Sequence, residues 1–120
     1  MDKPFSGRRV LVVEDEMILV MMIEDILAEL GASVTVAATV DQAIALIDAQ
    51  LFDAATLDLN LNGSHSYPVA DSLAVRGVPF VFSTGYHQQG LRDGYRDRPV
   101  LRKPFKQQDL TDSVARLLAH

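Results

Sequence analysis

Five residues in this chain could do chemistry together: the acids Glu14 and Asp15, the carboxylate of Asp58, the hydroxyl of Thr84 and the ammonium of Lys103. Three carboxylates brought within several ångströms cannot all stay ionised and unpaired; they hold a proton or bind a hard cation. An all-oxygen donor set without His or Cys favours Mg²⁺, which keeps part of its water and accepts a phosphoryl oxygen as a further ligand. Thr84 would add a hydroxyl donor, and Lys103 a mobile positive charge for the remaining oxygens. Positioning and charge neutralisation are most of what phosphoryl transfer asks of a protein. In that arrangement Asp58 is the nucleophile and the product is an aspartyl phosphate.

Taken singly, each residue is weak evidence. An Asp at the end of a strand is more often a turn residue, and a Thr or Lys there is unremarkable. Glu14-Asp15-Glu16 after an apolar strand also suits a helix N-terminus, where acids complement the dipole and Asp15 could cap. The weight lies in the elements that deliver the set. Arg8 to Val13 reads as a buried β-branched strand ending at the acids, and Ala54-Ala55-Thr56-Leu57-Asp58 as a second apolar run, closed by turn formers at Asn60, Asn62 and Gly63. Val78 to Thr84 is a strand ending in two hydroxyls and Gly85, and Pro99 to Arg102 a brief one before Lys103-Pro104-Phe105.

Ser33 to Ala37 supplies the remaining strand. Between the strands, helical spacing predicts helices over Met17–Leu30 (stopped by Gly31), from Thr39 or Asp41 onward, from Pro68 to about Arg76 (ended by Gly77), and from Gln107 to Ala119. Met17, Met21 and Met22 are expected as core filler. From Tyr86 to Arg98 the periodicity fails, with Leu91 and Tyr95 as the one buried pair, so the fourth helix is expected to be short or mobile. Five β-α repeats with short connections imply a parallel sheet covered on both faces, joined by right-handed crossovers. In that sheet all five chemical residues fall at one edge, the edge where ligands collect.

The bulk properties agree. The 120 residues suffice for one domain, expected to span 1–120 with no room for an output domain, and the absence of cysteine excludes disulfides and thiolate metal sites. Residues 1–9 carry no apolar signal segment, and the longest apolar stretch, Met17 to Ile23, is too short to span a bilayer, so a cytoplasmic protein without membrane contact is expected. The net charge of −5 argues against nucleic acid as a partner. No Lys or Arg occurs from Val10 through Val75, whereas eight follow from Arg76 onward. That asymmetry fits either two differently charged solvated faces or an acidic cation site near a basic element that meets an anion.

The whole chain resembles a response-regulator receiver domain of two-component signalling. The resemblance is carried by the acid pair Glu14-Asp15, the acceptor Asp58, the hydroxyl Thr84, and Lys103 with Pro104-Phe105. It implies the flavodoxin-like (CheY-like) doubly wound five-stranded fold of order 2-1-3-4-5. It also implies a Mg²⁺ site of Glu14, Asp15, Asp58 and the backbone carbonyl of Asn60, a cis bond before Pro104, and phosphate supplied by a sensor histidine kinase or phosphotransfer protein. Two positions depart from the family: Asn62 stands where most members carry proline, and Val100 where most carry the aromatic that couples to the threonine. Pro79-Phe80-Val81-Phe82-Ser83-Thr84-Gly85-Tyr86, with Tyr67-Pro68-Val69-Ala70-Asp71, is similar to the single-domain "FAT GUY" receivers of alphaproteobacteria, with Ser83 in place of alanine. That subgroup implies HWE or HisKA2-type kinases and a shortened fourth helix. Gly85 and Tyr86 are then expected to modulate the site, with Tyr86 overhanging it and tuning water access.

Three other readings fit the residues less well. A haloacid-dehalogenase-type phosphatase places its nucleophile on the first strand with a second Asp two residues on, whereas here that residue is Asn60. A flavodoxin-like FMN binder needs a phosphate-cradling loop after the first strand, where Glu14-Asp15-Glu16 would repel phosphate. A receiver fold that only binds a partner would not need the complete set of acids and lysine. Within the receiver reading, activator, relay and phosphate sink stay open. His65 and His87 fall in loops near the site, and neither they nor His120 are assigned a role.

Overall fold

A computed structural model of the protein describes residues 3–85, 91–92 and 94–119. The elements run β1 (Arg9–Val13), α1 (Met17–Glu29), β2 (Ser33–Ala37), α2 (Val40–Ala49), β3 (Ala54–Asp58), β4 (Asn60–Leu61), β5 (Ser64–His65), α3 (Tyr67–Val75), β6 (Phe80–Thr84), β7 (Val100–Arg102) and α4 (Gln107–Leu118). Five strands pair in parallel in the order β2-β1-β3-β6-β7, which is the order 2-1-3-4-5 counted over the main sheet.

The alternation of strand residues splits the core in two. Leu11, Val13, Ala55, Leu57, Phe80 and Phe82 point to the side covered by α2 and α3. Val10, Val12, Ala54, Val81 and Leu101 point to the side covered by α1 and α4. Strands buried on both faces explain why β1, β3 and β6 read as unbroken apolar runs. Local signals set the ends of the helices. Thr39 caps α2 by accepting a hydrogen bond from the Gln42 N–H at 3.1 Å. Gly77, at φ 70, turns the chain out of α3 in a conformation that a Cβ disfavours.

Two expectations are corrected. The methionines of α1 are not core filler: Met17 and Met21 are 69% and 56% exposed and Ile18 81%. Val20, Ile23 and Leu27 are the buried residues of this helix and Leu19 and Ile26 pack partly buried beside them, so the methionines and Ile18 are left on the outward face. The stretch 60–66 is not an open loop, because Asn60–Leu61 and Ser64–His65 pair antiparallel as a small hairpin outside the main sheet. Between β6 and β7, residues 86–90 and 93 lie outside those described, so part of the expected short fourth helix is not described. The described residues 91–92 and 94–98 form bends and turns, with Leu91 and Tyr95 buried as expected. Among the described residues no helix is long and apolar enough to cross a membrane.

Candidate functional site

The site grows from strand ends. β1 and β3 run side by side with Val13 beside Leu57, so the residues that follow, Glu14-Asp15 and Asp58, emerge together. Asp58 is the last residue of β3 and lies beside Ser83 of β6, which places Thr84 one step further along the same edge. The Lys103 N–H donates to the Thr84 carbonyl at 2.9 Å, fixing the turn from β7 that brings in the lysine. The peptide bond between Lys103 and Pro104 is cis.

Single oxygens of Glu14, Asp15 and Asp58 lie within 4.8 Å of one another. Glu14 is 2% and Asp58 6% exposed, so their repulsion is weakly screened by water. The Lys103 Nζ lies 3.3 Å from Asp58 Oδ2 and 3.0 Å from Glu14 Oε2. The contact with Asp58 is a hydrogen bond; that with Glu14 Oε2 is an ion pair without hydrogen-bond direction, and this buried oxygen has no other partner. Burial, and then the neighbouring Asp58 carboxylate, push the Glu14 carboxyl up to about 7. For Lys103, burial works to lower its proton affinity, but Glu14 and Asp58 outweigh it and hold the ammonium above its usual range. Three carboxyl groups thus share one lysine, and Glu14 keeps its proton up to near neutrality.

Main-chain donors fix the carboxylates. The Asn60 N–H donates to Asp58 Oδ1 at 3.1 Å and the Asn62 N–H to Asp15 Oδ2 at 2.9 Å. Glu14 Oε1 accepts from the N–H groups of Asp15 and Glu16 at 3.2 and 3.3 Å. The helix-cap account of the acids is therefore not what the structure shows: Glu16, at the N-cap of α1, makes no side-chain cap, and Asp15 binds the hairpin turn.

Asp15, Asp58, Asn60, Thr84, Gly85 and Lys103 line one open cleft of about 310 Å³, joined by Asn62 and Gly63. A Cβ added at Gly85 would meet nothing within 4 Å, so neither close packing nor a left-handed backbone demands glycine at this cleft position. Tyr86, expected to overhang the site, lies outside the described residues. His65 sits on β5 and packs against Tyr67, with ring centroids 5.8 Å apart, rather than lining the cleft. Sequence reasoning missed Asn62 and Gly63 as cleft residues. The Asn-Gly dipeptide was the available signal, since it marks a two-residue hairpin turn.

The family described as response regulator receiver domain matches residues 10–115. The chain belongs to that family. Among solved structures, this receiver domain is similar to SdrG from Sphingomonas melonis Fr1, with 42% identity, a TM-score of 0.81, and coverage of 93% of this chain and 97% of that one. The BeF3-activated conformation of SdrG, from Pseudomonas melonis Fr1, matches at 40% identity and TM-score 0.80, covering 95% of this chain and 98% of that one. The receiver domain of the sensor histidine kinase PA1611 from Pseudomonas aeruginosa PAO1 carries a magnesium ion coordinated in its active-site cleft. It matches at 27% identity and TM-score 0.79, covering 96% of this chain and all (100%) of that one. No curated protein matches the sequence.

Proposed function

We propose that this receiver domain takes a phosphoryl group onto Asp58 from a phosphohistidine of a sensor histidine kinase or a phosphotransfer protein. The observation that carries this reading is the environment of Asp58. It is a nearly buried carboxylate at the end of a central strand, with Lys103 at 3.3 Å and two further acids alongside. Three clustered carboxyl groups sharing one lysine suit a hard divalent cation, and the magnesium in the PA1611 receiver supports the same assignment. Glu14, Asp15, Asp58 and the Asn60 carbonyl would hold Mg²⁺. When bound, it would neutralise charge on the carboxylates and on the incoming phosphoryl oxygens.

The chain's own residues do the rest. Lys103 holds Asp58 Oδ2 in place and offers its ammonium to phosphoryl oxygen, while the Asn60 N–H orients Oδ1. An Asp58 oxygen forms the new bond to phosphorus as the phosphorus–nitrogen bond of the donor breaks, and the departing imidazole takes up a proton. Thr84, at the cleft wall, donates its hydroxyl to a phosphoryl oxygen once the group has arrived. The likeness to the "FAT GUY" receivers supports a cytoplasmic donor of the HWE or HisKA2 type. Incubation with radiolabelled phosphorylated kinases of that type tests the assignment. Wild type takes up label with Mg²⁺ present, and Asp58→Asn takes up none while keeping its circular dichroism. Label appearing on the Asp58→Asn protein would overturn the reading.

A further inference from the structure

The hairpin that follows Asp58 is built more exactingly than a connecting loop requires. Its two central residues, Asn62 and Gly63, both have positive φ, at 50 and 85, as a type I′ turn requires. Glycine adopts that conformation freely, and asparagine tolerates it better than other side chains. Leu61 anchors the hairpin in the core, and at its base the Ser66 hydroxyl donates to the Asp58 carbonyl at 2.6 Å. Held this way, the hairpin presents two N–H groups to the cleft. Asn60 takes the Oδ1 of Asp58, and Asn62 reaches 47 residues back along the chain to the Oδ2 of Asp15. One short element thereby fixes two carboxylates that arrive on different strands and repel each other.

We propose that Asn62 is a positioning residue of the cation site, aligning Asp15 through its main-chain N–H. The inference rests on the reading of Glu14, Asp15 and Asp58 as a Mg²⁺ site. The role needs both an N–H and a left-handed backbone at residue 62. Proline supplies neither and glycine supplies both. The side chain of Asn62 is secondary; its value is that it tolerates φ 50.

Calorimetric titration of Mg²⁺ into the full chain tests this. Asn62→Gly should bind within about twofold of wild type, and Asn62→Pro about tenfold more weakly, the scale seen when an outer partner of a metal ligand is lost. Gly63→Ala strains the turn but leaves the Asn62 N–H in place, so it should lose stability without a matching loss of affinity. A second measurement leaves the turn sequence untouched. In Asp15→Ala the Asn62 amide proton should move upfield and exchange faster with solvent, because its acceptor is gone. Asn62→Pro binding Mg²⁺ like wild type, or an unmoved Asn62 amide in Asp15→Ala, overturns the positioning role alone. Wild type that binds no Mg²⁺ overturns the cation site and this role with it.

Discussion

The ends of β1 and β3 hold Glu14, Asp15 and Asp58 together against their own repulsion, restrained by one lysine and several main-chain N–H groups. On the α3 side of β6 the opposite holds. Tyr67, Phe80, Phe82 and Tyr95 pack edge-to-face or stacked, with neighbouring ring centroids 5.4 to 6.1 Å apart. The Arg92 guanidinium lies 4.6 Å over the Tyr67 ring and pairs with Asp71 at 3.1 Å. The Arg92 N–H donates to the Tyr67 hydroxyl at 2.7 Å, and the Tyr95 hydroxyl donates to Asp71. One region gains by acquiring a further charge; the other already has its partners. The acidic region should therefore exchange stability for binding, while the aromatic region should only supply stability.

The largest expected effect falls on the aromatic side. Tyr95 is 8% exposed and touches three rings, so Tyr95→Ala should cost about 3 kcal/mol, the scale of truncating a buried aromatic side chain. Urea unfolding with and without Mg²⁺ measures this. The loss should be the same in both conditions, since no cation replaces a missing ring. Recovery in Mg²⁺ would mean that the two regions are one coupled unit.

The acidic side should respond with the opposite sign. The folded-state affinity of Glu14 for its proton lies above its unfolded value, up to about 7 against 4.5. Between these values the native state binds a proton that the unfolded chain releases, so Mg²⁺-free stability should rise as pH falls from 8 toward 5. The contribution is complete below the unfolded value and lost as pH rises through about 7. Mg²⁺ affinity should move the other way, weakening as Glu14 takes up its proton. Glu14→Gln mimics the protonated group. At pH 8 it should be more stable than wild type by about 1–2 kcal/mol, below the Tyr95 effect, yet bind Mg²⁺ more weakly. A Glu14→Gln protein that is less stable than wild type at pH 8 would show that the Lys103 pairing outweighs the repulsion.

The two regions also differ in how far the sequence exposes them. The acidic site was legible because its residues mark strand ends: apolar runs stop at Glu14, Asp58 and Thr84, and parallel topology brings such ends to one edge. The cap at Thr39 and the stop at Gly77 were legible for equally local reasons. The hairpin escaped because two-residue strands carry no periodicity, and its one local mark, Asn62-Gly63, reads equally as a simple turn. The aromatic cluster escaped for a different reason. Tyr67 opens α3 and meets Arg92 across 25 residues, and Arg92 lies in the segment 86–98 whose pattern fits neither helix nor strand. Such contacts are set by tertiary packing, which no local spacing encodes. The methionines of α1 misled because apolar type was read as burial, although one face of the helix was enough to cover the sheet.

The smallest effect tests the seam between the regions. Ser83 stands on β6 directly beside Asp58 of β3, 3% exposed, and its hydroxyl has no hydrogen-bond partner among the described residues. A buried hydroxyl without a partner loses its water and gains nothing in return, a cost of about 1–3 kcal/mol. Ser83→Ala removes that cost and leaves a gap of one oxygen atom, so a net gain of up to about 1 kcal/mol is expected. The hydroxyl does not line the cleft, so Mg²⁺ affinity and phosphate uptake should stay at wild-type levels. A thermal melt and the Mg²⁺ titration on the same sample decide it. Higher stability with unchanged binding places Ser83 with the packing of the sheet. Loss of stability, or altered Mg²⁺ affinity, would place its hydroxyl in the acidic site and move the boundary between the two regions by one residue.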